Sequence, residues 1–218
     1  MAEKNLTKNL LDHPHLDPDL QMIKNLFTSQ HPFQELRNPH VEKPVSQEVR
    51  SKARSSAVLI AVTESEEPKL LVTKRHHSIR FAGHICFPGG TTDDGDVSAV
   101  ATALRETKEE INLEPGEVNI LGELGHYYTQ AGYRIHPVIG LVQPGYSVDA
   151  NPEEVDEIYE ISLRSVLNSE SYSLTWHSST RGHFSFHENG LRIAGPTVSL
   201  LIGFYEELLK FQGLLKHK

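Results

Sequence analysis

The segment from residue 87 to residue 113 constrains this chain more than any other. It begins with a turn-rich loop that contains two consecutive glycines, Gly89 and Gly90, and continues into a helix predicted from about Asp96 to Ile111. Either Asp96 or Ser98 could cap this helix. Apolar residues with a period close to 3.6 predict the face that packs against the rest of the protein. This stripe comprises Val97, Val100, Ala101, Leu104 and Ile111.

Three glutamates lie on another face of the same helix. Glu106, Glu109 and Glu110 are spaced at i, i+3 and i+4, so their side chains converge. This is unfavourable by itself, because like charges at i,i+4 cost about 0.2–0.5 kcal/mol and the helix dipole disfavours anions in the last turns. A divalent cation would reverse both effects, and clustered carboxylates suit Mg²⁺. A solvated acidic helix end is the alternative; the glycine loop and the adjacent Arg105 favour a metal site.

The loop and the carboxylates together resemble the Nudix box of the Nudix hydrolases, usually written G-x5-E-x7-R-E-U-x-E-E-x-G-U. The matching residues are Gly89-Gly90 and Arg105-Glu106-x-x-Glu109-Glu110. The flanks differ from the motif. Asp96 replaces a glutamate and is separated from Arg105 by one residue more than in the motif, Thr107 takes an apolar position, and Asn112 replaces the late glycine. Asn is the residue that next best tolerates the left-handed conformation in which that glycine ends the helix.

The upstream residues resemble the signature of one Nudix subfamily, the coenzyme A pyrophosphatases, roughly L-L-T-x-R-[SA]-x3-R-x3-G-x3-[FL]-P-G-G. The matching residues are Leu71, Thr73, Arg75, Arg80, Gly83 and Phe87-Pro88-Gly89-Gly90. Val72 and His76 depart from the signature, and two residues instead of three separate Arg80 from Gly83. This stretch is also a basic cluster in an acidic chain, which suits a polyanionic substrate because guanidinium groups match phosphate geometry.

The resemblance implies a metal-dependent hydrolase that uses Mg²⁺ or Mn²⁺ to cleave the pyrophosphate bond of a nucleoside diphosphate derivative. The subfamily implies coenzyme A or an acyl-CoA as substrate, with 3′,5′-ADP and (acyl-)4′-phosphopantetheine as products. Two alternatives stay open. The enzyme could act on ADP-ribose, NADH or a dinucleoside polyphosphate, or the chain could be a non-catalytic Nudix-like module that senses a nucleotide.

The resemblance also assigns roles to individual residues. The metal ligands would be the backbone carbonyl of Gly90 and the side chains of Glu106, Glu109 and Glu110. Arg105 would orient these glutamates by charge-assisted hydrogen bonds. The candidates for a general base, if one is used, are Glu109, Glu154 and Glu157. The substrate-binding candidates are Lys74, Arg75, Arg80 and Tyr128, with Tyr133 and His126 as further rings that could stack on adenine or close over the site.

The length and the pattern of elements predict the organisation. With 218 residues, we expect an N-terminal helical and loop extension over residues 1–50 and a Nudix hydrolase domain over residues 51–218. Predicted strands bracket the helix near 97–111, and a second helix ends the chain. These strands span residues 57–62, 69–73, 84–87, 118–124 and 133–142. The order implies an α/β fold, an α/β/α sandwich around a mixed β-sheet, which is also the Nudix fold.

The N-terminal extension contains a short amphipathic helix, predicted from about Pro18 to Ser29. Its apolar stripe could pack against its own chain, which we favour, or against a second subunit, so a homodimer is left open. The net charge of −8 argues against nucleic acid as the main partner. No apolar stretch approaches about 18–20 residues, so no membrane span is expected. The N-terminus lacks an apolar signal core, and a cytoplasmic location is expected.

Overall fold

A mixed eight-stranded sheet forms the centre of the fold in the computed structural model, which describes residues 10–216. Its main path runs β3-β2-β1-β7-β5, while β4 pairs with β1, β6 with β7 and β8 with β2. The strands are β1 (Arg54–Thr63), β2 (Lys69–Arg75), β3 (Ile85–Cys86), β4 (Gly89–Thr91), β5 (Val118–Glu123), β6 (Tyr127–Tyr128), β7 (Tyr133–Val142) and β8 (Val155–Ser162). Strands β1 and β7 are parallel over their whole length, and the other pairings described are antiparallel.

The pairing of β1 places the glycine loop. One edge of β1 is occupied by β7 along all of its residues. The other edge pairs with β2 at Val62 and with β4 at residues 56–58. Strand β2 has therefore separated from β1 at that end, and the Gly89-Gly90 segment fills the place beside β1.

Helices cover both faces of the sheet. They are α1 (Leu20–Thr28), α2 (Gln47–Ser51), α3 (Ala99–Ile111), α4 (Leu163–Val166) and α5 (Gly195–Phe211). Because side chains alternate along a strand, neighbours such as Leu59 and Ile60 enter two different apolar cores. Leu59 packs in the core beneath α3, and Ile60 packs in the core shared with α1 and α5. The predicted α/β/α sandwich around a mixed sheet is confirmed.

Helix α3 begins later than predicted, and its buried face differs from the predicted stripe. Ser98 is the N-cap, since its hydroxyl accepts a hydrogen bond from the backbone N–H of Ala101 at 3.1 Å. Val97 precedes the helix and is 94% exposed, so its place in the stripe was predicted wrongly. The side chains that pack toward the core are instead Val100, Ala103, Leu104, Thr107 and Ile111, at helical spacing.

The end of α3 follows the sequence prediction. Asn112 adopts the left-handed conformation, with φ 54° and ψ 24°, and its N–H donates to the carbonyl of Lys108 at 2.9 Å. Thr107, at the motif position that is usually apolar, is buried because its hydroxyl donates to the carbonyl of Ala103 at 2.6 Å. A threonine hydroxyl satisfied by the preceding turn can take a buried helix position.

The N-terminal segment packs on the same chain. Ile23 and Leu26 of α1 are fully buried in the core that also holds Phe204 and Leu208 of α5. A second sheet joins this side of the molecule, formed by β9 (Tyr172–Ser178), β10 (Arg181–Glu188) and β11 (Leu191–Ile193). Within residues 10–216, no helix has the length and apolar character needed to cross a bilayer.

Candidate active site

The two glycines of β4 are required by close approach of other groups. A β-carbon on Gly89 would lie 2.3 Å from the carbonyl oxygen of Ala57, and one on Gly90 would lie 2.3 Å from the carboxylate of Glu106. The contact at Gly89 is against backbone and cannot be relieved, whereas a side chain at Gly90 would displace the carboxylate of Glu106. The glycine pair therefore brings the edge of β1 and the carboxylates of α3 together at one place.

Arg105 gathers the acidic groups around this place. Its Nε donates to Asp96 Oδ1 at 3.0 Å and its Nη2 donates to Asp96 Oδ2 at 2.8 Å, a bidentate pair. Its Nη1 lies 3.0 Å from Glu106 Oε1 and donates to Glu109 Oε2 at 3.1 Å. Nη2 also donates to the carbonyl of Thr91 at 3.2 Å. Hydrogen bonds from Arg105 hold the pKa of Asp96 well below its usual range, so Asp96 stays ionised as its partner.

The three glutamates differ sharply in exposure. Glu110 is buried, Glu106 is half-buried, and Glu109 is exposed. Burial raises the pKa of Glu110 to about 8, although the N–H of Gly89 donates to it at 3.2 Å and Arg75 Nη1 lies 3.7 Å away. Burial also raises the pKa of Glu106, against the opposing influence of Arg105.

These residues fit a divalent cation by their chemistry. They offer carboxylate oxygens, the donors that Mg²⁺ and Mn²⁺ prefer. A cation close to buried carboxylates favours their charged form and opposes the effect of burial on their pKa values. The three carboxylates are spread out, since Glu109 is held by Arg105 and Glu110 by Gly89. Ligand oxygens taken one from each of the three do not all lie within 4.8 Å of one another, so binding of one cation by all three requires side-chain movement, and otherwise more than one ion.

The two downstream base candidates are separated by the fold. The charge of Glu154 contributes to the raised pKa values of Glu106 and Glu110, which places it beside the carboxylate cluster. Glu157 pairs instead with Lys74 Nζ at 3.2 Å and with the hydroxyl of Tyr159.

Lys74 and Glu157 lie on the opposite face of the sheet from α3. They are cross-strand partners in β2 and β8, and Tyr159, two residues along β8, packs against the core on the α5 side. The structure thus does not bring Glu157 or Lys74 to the carboxylates. Lys74 neutralises surface acids, since its Nζ also lies 3.9 Å from Asp156.

A cavity of about 510 Å³ opens beside the glycine pair, on the α5 side of the sheet. Arg75, Arg80, Gly89, Gly90 and Thr91 are among its lining residues, as are groups of β7, β10 and the start of α5. The three glutamates of α3 are not part of its lining. The backbone at Gly90 is therefore the point at which the cavity meets the carboxylate cluster.

Only one of the three aromatic candidates lines this cavity. Tyr133 is in its lining, and Tyr128 and His126 are not. Tyr128 lies under the guanidinium of Arg50, whose Cζ is 4.0 Å from the ring centre. The prediction that Tyr128 contacts substrate is not supported by its position, because its ring faces this cation outside the cavity.

Two functional candidates were missed by sequence reasoning. Asp96 had been read only as a cap or as a departure from the motif, yet it is the main partner of Arg105. Its position in the loop just before the helix that carries Arg105 was the available signal. Phe81, in the basic loop, lines the cavity with a 44% exposed side chain. Its unusual place between Arg80 and Gly83 was the signal there.

A second cluster of potential ligands lies on the surface nearby. His76 Nε2 is 3.8 Å and His77 Nδ1 is 3.9 Å from Asp156 Oδ1. Lys74 is close to the same carboxylate, and a permanent positive charge there opposes cation binding. This cluster is separate from the carboxylates of α3.

Comparison with protein families matches residues 53–175 to the family described as NUDIX domain. Among curated proteins, the chain is similar to the uncharacterized Nudix hydrolase NudL of Photorhabdus laumondii, with 42% identity over 120 residues, 55% of this chain and 64% of that protein. It is also similar to the uncharacterized Nudix hydrolase NudL of Escherichia coli K12, with 39% identity over 116 residues, 53% of this chain and 60% of that protein. The match spans less than two thirds of the length of these relatives.

Solved structures give more distant similarity. The NUDIX domain of Shewanella oneidensis NrtR complexed with ADP ribose has a TM-score of 0.48 and 18% identity, covering 75% of this chain and 93% of that one. A C. elegans Ap4A hydrolase binary complex has a TM-score of 0.43 and 19% identity, covering 49% of this chain and 78% of that one. Similarity at this level carries no argument about substrate.

Proposed function

This chain belongs to the Nudix family, and from that premise we propose that it is a metal-dependent hydrolase of the pyrophosphate bond in a nucleoside diphosphate derivative. One observation carries the proposal. Arg105 holds carboxylates at the Gly90 backbone, where the cluster meets a cavity whose lining includes Arg75 and Arg80. A site of this kind combines carboxylates that can bind a cation with guanidinium groups that can bind a diphosphate.

Glu106, Glu109 and Glu110, with the backbone carbonyl of Gly90, would hold Mg²⁺ or Mn²⁺. Bound there, a divalent cation would neutralise the diphosphate and lower the pKa of a coordinated water. Arg105 acts through the glutamates. It fixes the position of Glu106 and Glu109 while its own orientation is set by Asp96.

If a protein group takes a proton from the attacking water, Glu109 and Glu154 are the candidates that we favour. Both lie on the side of the sheet where the carboxylates gather, and Glu109 is exposed to solvent, so its carboxylate can change orientation. Glu157 is a weaker candidate because Lys74 and Tyr159 engage it on the other face. A mechanism without a protein base is the remaining alternative.

Coenzyme A or an acyl-CoA is the substrate that we propose within this class. The support is the resemblance of the upstream segment to the subfamily signature, together with the position of its two arginines. Arg75 and Arg80 both line the cavity, and Arg75 also reaches Glu110. Guanidinium groups at the junction of cavity and carboxylates suit the phosphates of such a ligand.

A panel of diphosphates tests the proposal. The protein is incubated with Mg²⁺ or Mn²⁺ and, separately, coenzyme A, an acyl-CoA, ADP-ribose, NADH and a dinucleoside polyphosphate, and products are identified by mass spectrometry. We expect 3′,5′-ADP from the first two. Cleavage of only another compound of the panel would overturn the proposed substrate and support the proposed reaction. No cleavage of any member would overturn the hydrolase proposal and favour a nucleotide-sensing module.

A further inference from the structure

Phe81 combines two unfavourable features. Its backbone has φ 62°, in the left-handed region that bulky residues avoid. Its side chain is 44% exposed, although it is a large apolar ring. Strained backbone of this kind persists where the surrounding structure enforces it, and it is concentrated at binding and catalytic sites. The ring lines the cavity beside the glycine pair.

The backbone around Phe81 explains how the strain is maintained. The loop is closed at its base because the N–H of Gly83 donates to the carbonyl of Arg75 at 2.9 Å and the N–H of Arg75 donates to His84 at 3.0 Å. Inside it, the N–H of His84 donates to the carbonyl of Phe81 at 3.1 Å. Only Phe81 and Ala82 separate Arg80 from Gly83, so the chain turns at Phe81 itself. The ring of Phe81 is therefore directed outward.

Arg80 lies between two cavity rings. Its guanidinium carbon is 4.6 Å from the ring centre of Phe81 and 5.9 Å from that of Tyr133, and its Nη1 donates to the Tyr133 hydroxyl at 3.3 Å. Within residues 10–216, Arg80 forms no ion pair with a carboxylate. Its charge is thus available to an anionic ligand, in a chain whose net charge is −8.

We propose that Phe81 is the platform on which the nucleobase of the substrate stacks, next to Arg80, which faces the phosphates. This inference rests on the proposed function and adds the recognition of the base. Aromatic side chains stack on any base because every base has a π-face. A structural role does not account for Phe81. Glycine would adopt the same backbone conformation without strain, and apart from Arg80 the only ring contact described for Phe81 is with His84, at 5.9 Å between ring centres.

Four variants separate recognition from structure. Phe81→Leu removes the ring and keeps the strain, Phe81→Gly removes both, and Phe81→Tyr keeps both. Trp176→Leu is the matched control, because Trp176 is 45% exposed and lies outside the cavity lining. Binding of ADP and of inorganic pyrophosphate, each with Mg²⁺, is measured by titration calorimetry, and thermal unfolding is measured alongside.

We expect the Leu and Gly variants to bind ADP about ten-fold more weakly, since a stacked base typically contributes an effect of this order. Pyrophosphate affinity should stay unchanged, and the Tyr and Trp176 variants should bind both ligands as the wild type does. Phe81→Gly should also raise Tm by a few degrees, because glycine relieves the strain. Lower ADP affinity together with higher stability is a combination that a structural role would not produce.

ADP affinity in Phe81→Leu equal to that of the wild type would overturn the proposal, as would an equal loss for pyrophosphate. The measurement does not need turnover. A chain that cleaves no diphosphate but shows the selective loss of ADP binding would retain the base platform and lose the proposed hydrolase activity. A chain that cleaves coenzyme A equally well with Leu at position 81, at an unchanged KM, would lose only the platform.

Discussion

Asp96 accepts two hydrogen bonds from Arg105, at 3.0 Å from Nε and 2.8 Å from Nη2. This pair orients the arginine whose remaining nitrogen holds Glu106 and Glu109. Asp96 lies in the loop before the helix, one residue further from the arginine than the glutamate of the motif. The hydroxyl of Thr102 also donates a hydrogen bond to Asp96, at 3.0 Å. The departure from the motif therefore supplies the bidentate hydrogen-bond partner of Arg105.

Asp96→Asn should lower kcat by about 10-fold or more, because partners that orient metal ligands typically contribute 10–100-fold to affinity or activity. The amide cannot accept both hydrogen bonds, so Arg105 and the two glutamates lose their fixed positions. Asp93→Asn is the matched control, since Asp93 is exposed and lies 3.8 Å from the same guanidinium. Steady-state kinetics on the cleaved substrate checks this; equal effects of both variants would contradict it.

Glu110→Gln should leave the fold intact and lower turnover at least ~100-fold, as expected for a group that acts in the transition state. The substitution preserves shape while replacing a carboxyl oxygen that would bind the cation with an amide nitrogen that cannot. Circular dichroism and thermal unfolding establish the fold, and single-turnover rates establish the defect. Glu114→Gln, at an exposed position paired with Lys108, should have wild-type rates. Near-wild-type turnover in Glu110→Gln would remove the metal-ligand assignment.

Gly90→Ala should abolish most activity, because the added methyl carbon would lie 2.3 Å from the Glu106 carboxylate and displace it. Gly95→Ala is the control in the same loop, since a β-carbon there meets no atom within 4 Å. Activity assays together with thermal unfolding distinguish a displaced carboxylate from an unfolded loop. If Gly90→Ala retained full activity, the contact between β4 and α3 would not matter for catalysis.

Alanine at Arg75 or Arg80 should raise KM for coenzyme A more than KM for a related substrate that lacks the 3′-phosphate. Both guanidinium groups line the cavity, and loss of one removes a charge-assisted contact with a phosphate. The comparison uses the two substrates with each variant. Equal changes of KM for both substrates would end the claim that these arginines select for the additional phosphate.

Glu206→Gln should make the free energy of unfolding less dependent on pH in the acid range. Burial by itself would raise the pKa of Glu206, but the neighbouring His13 and Arg37 outweigh it and lower the pKa to about 2. A carboxyl whose pKa is lower in the folded state stabilises the protein above its unfolded pKa of 4.5 and loses that contribution as pH falls toward 2. Urea unfolding from pH 6 to pH 3 should show a decreasing difference between wild type and variant. A constant difference would contradict the assignment.

Local features were predictable because they depend on neighbours along the chain. Helical spacing places Glu106, Glu109 and Glu110 in adjacent turns of α3, and the left-handed Asn112 follows from the need to end that helix. The predicted convergence of the three carboxylates is not found, because Arg105 holds Glu109 and Gly89 holds Glu110. The hairpin at Asn189-Gly190 is likewise local, and both residues have positive φ. The sequence by itself determined the helix, its left-handed end and the placement of its three glutamates.

Tertiary structure decided which distant residues reach that site. Glu154 and Glu157 are almost adjacent in sequence, yet strand pairing with β2 directs Glu157 to the opposite face of the sheet. A strand's faces depend on its register with its partner, which the amino-acid pattern of an acidic strand does not specify. Long-range contacts likewise place two aromatic rings relative to the cavity. Tyr128 is held outside it by Arg50, and Phe81 is held in its lining by the hydrogen bonds that close its loop.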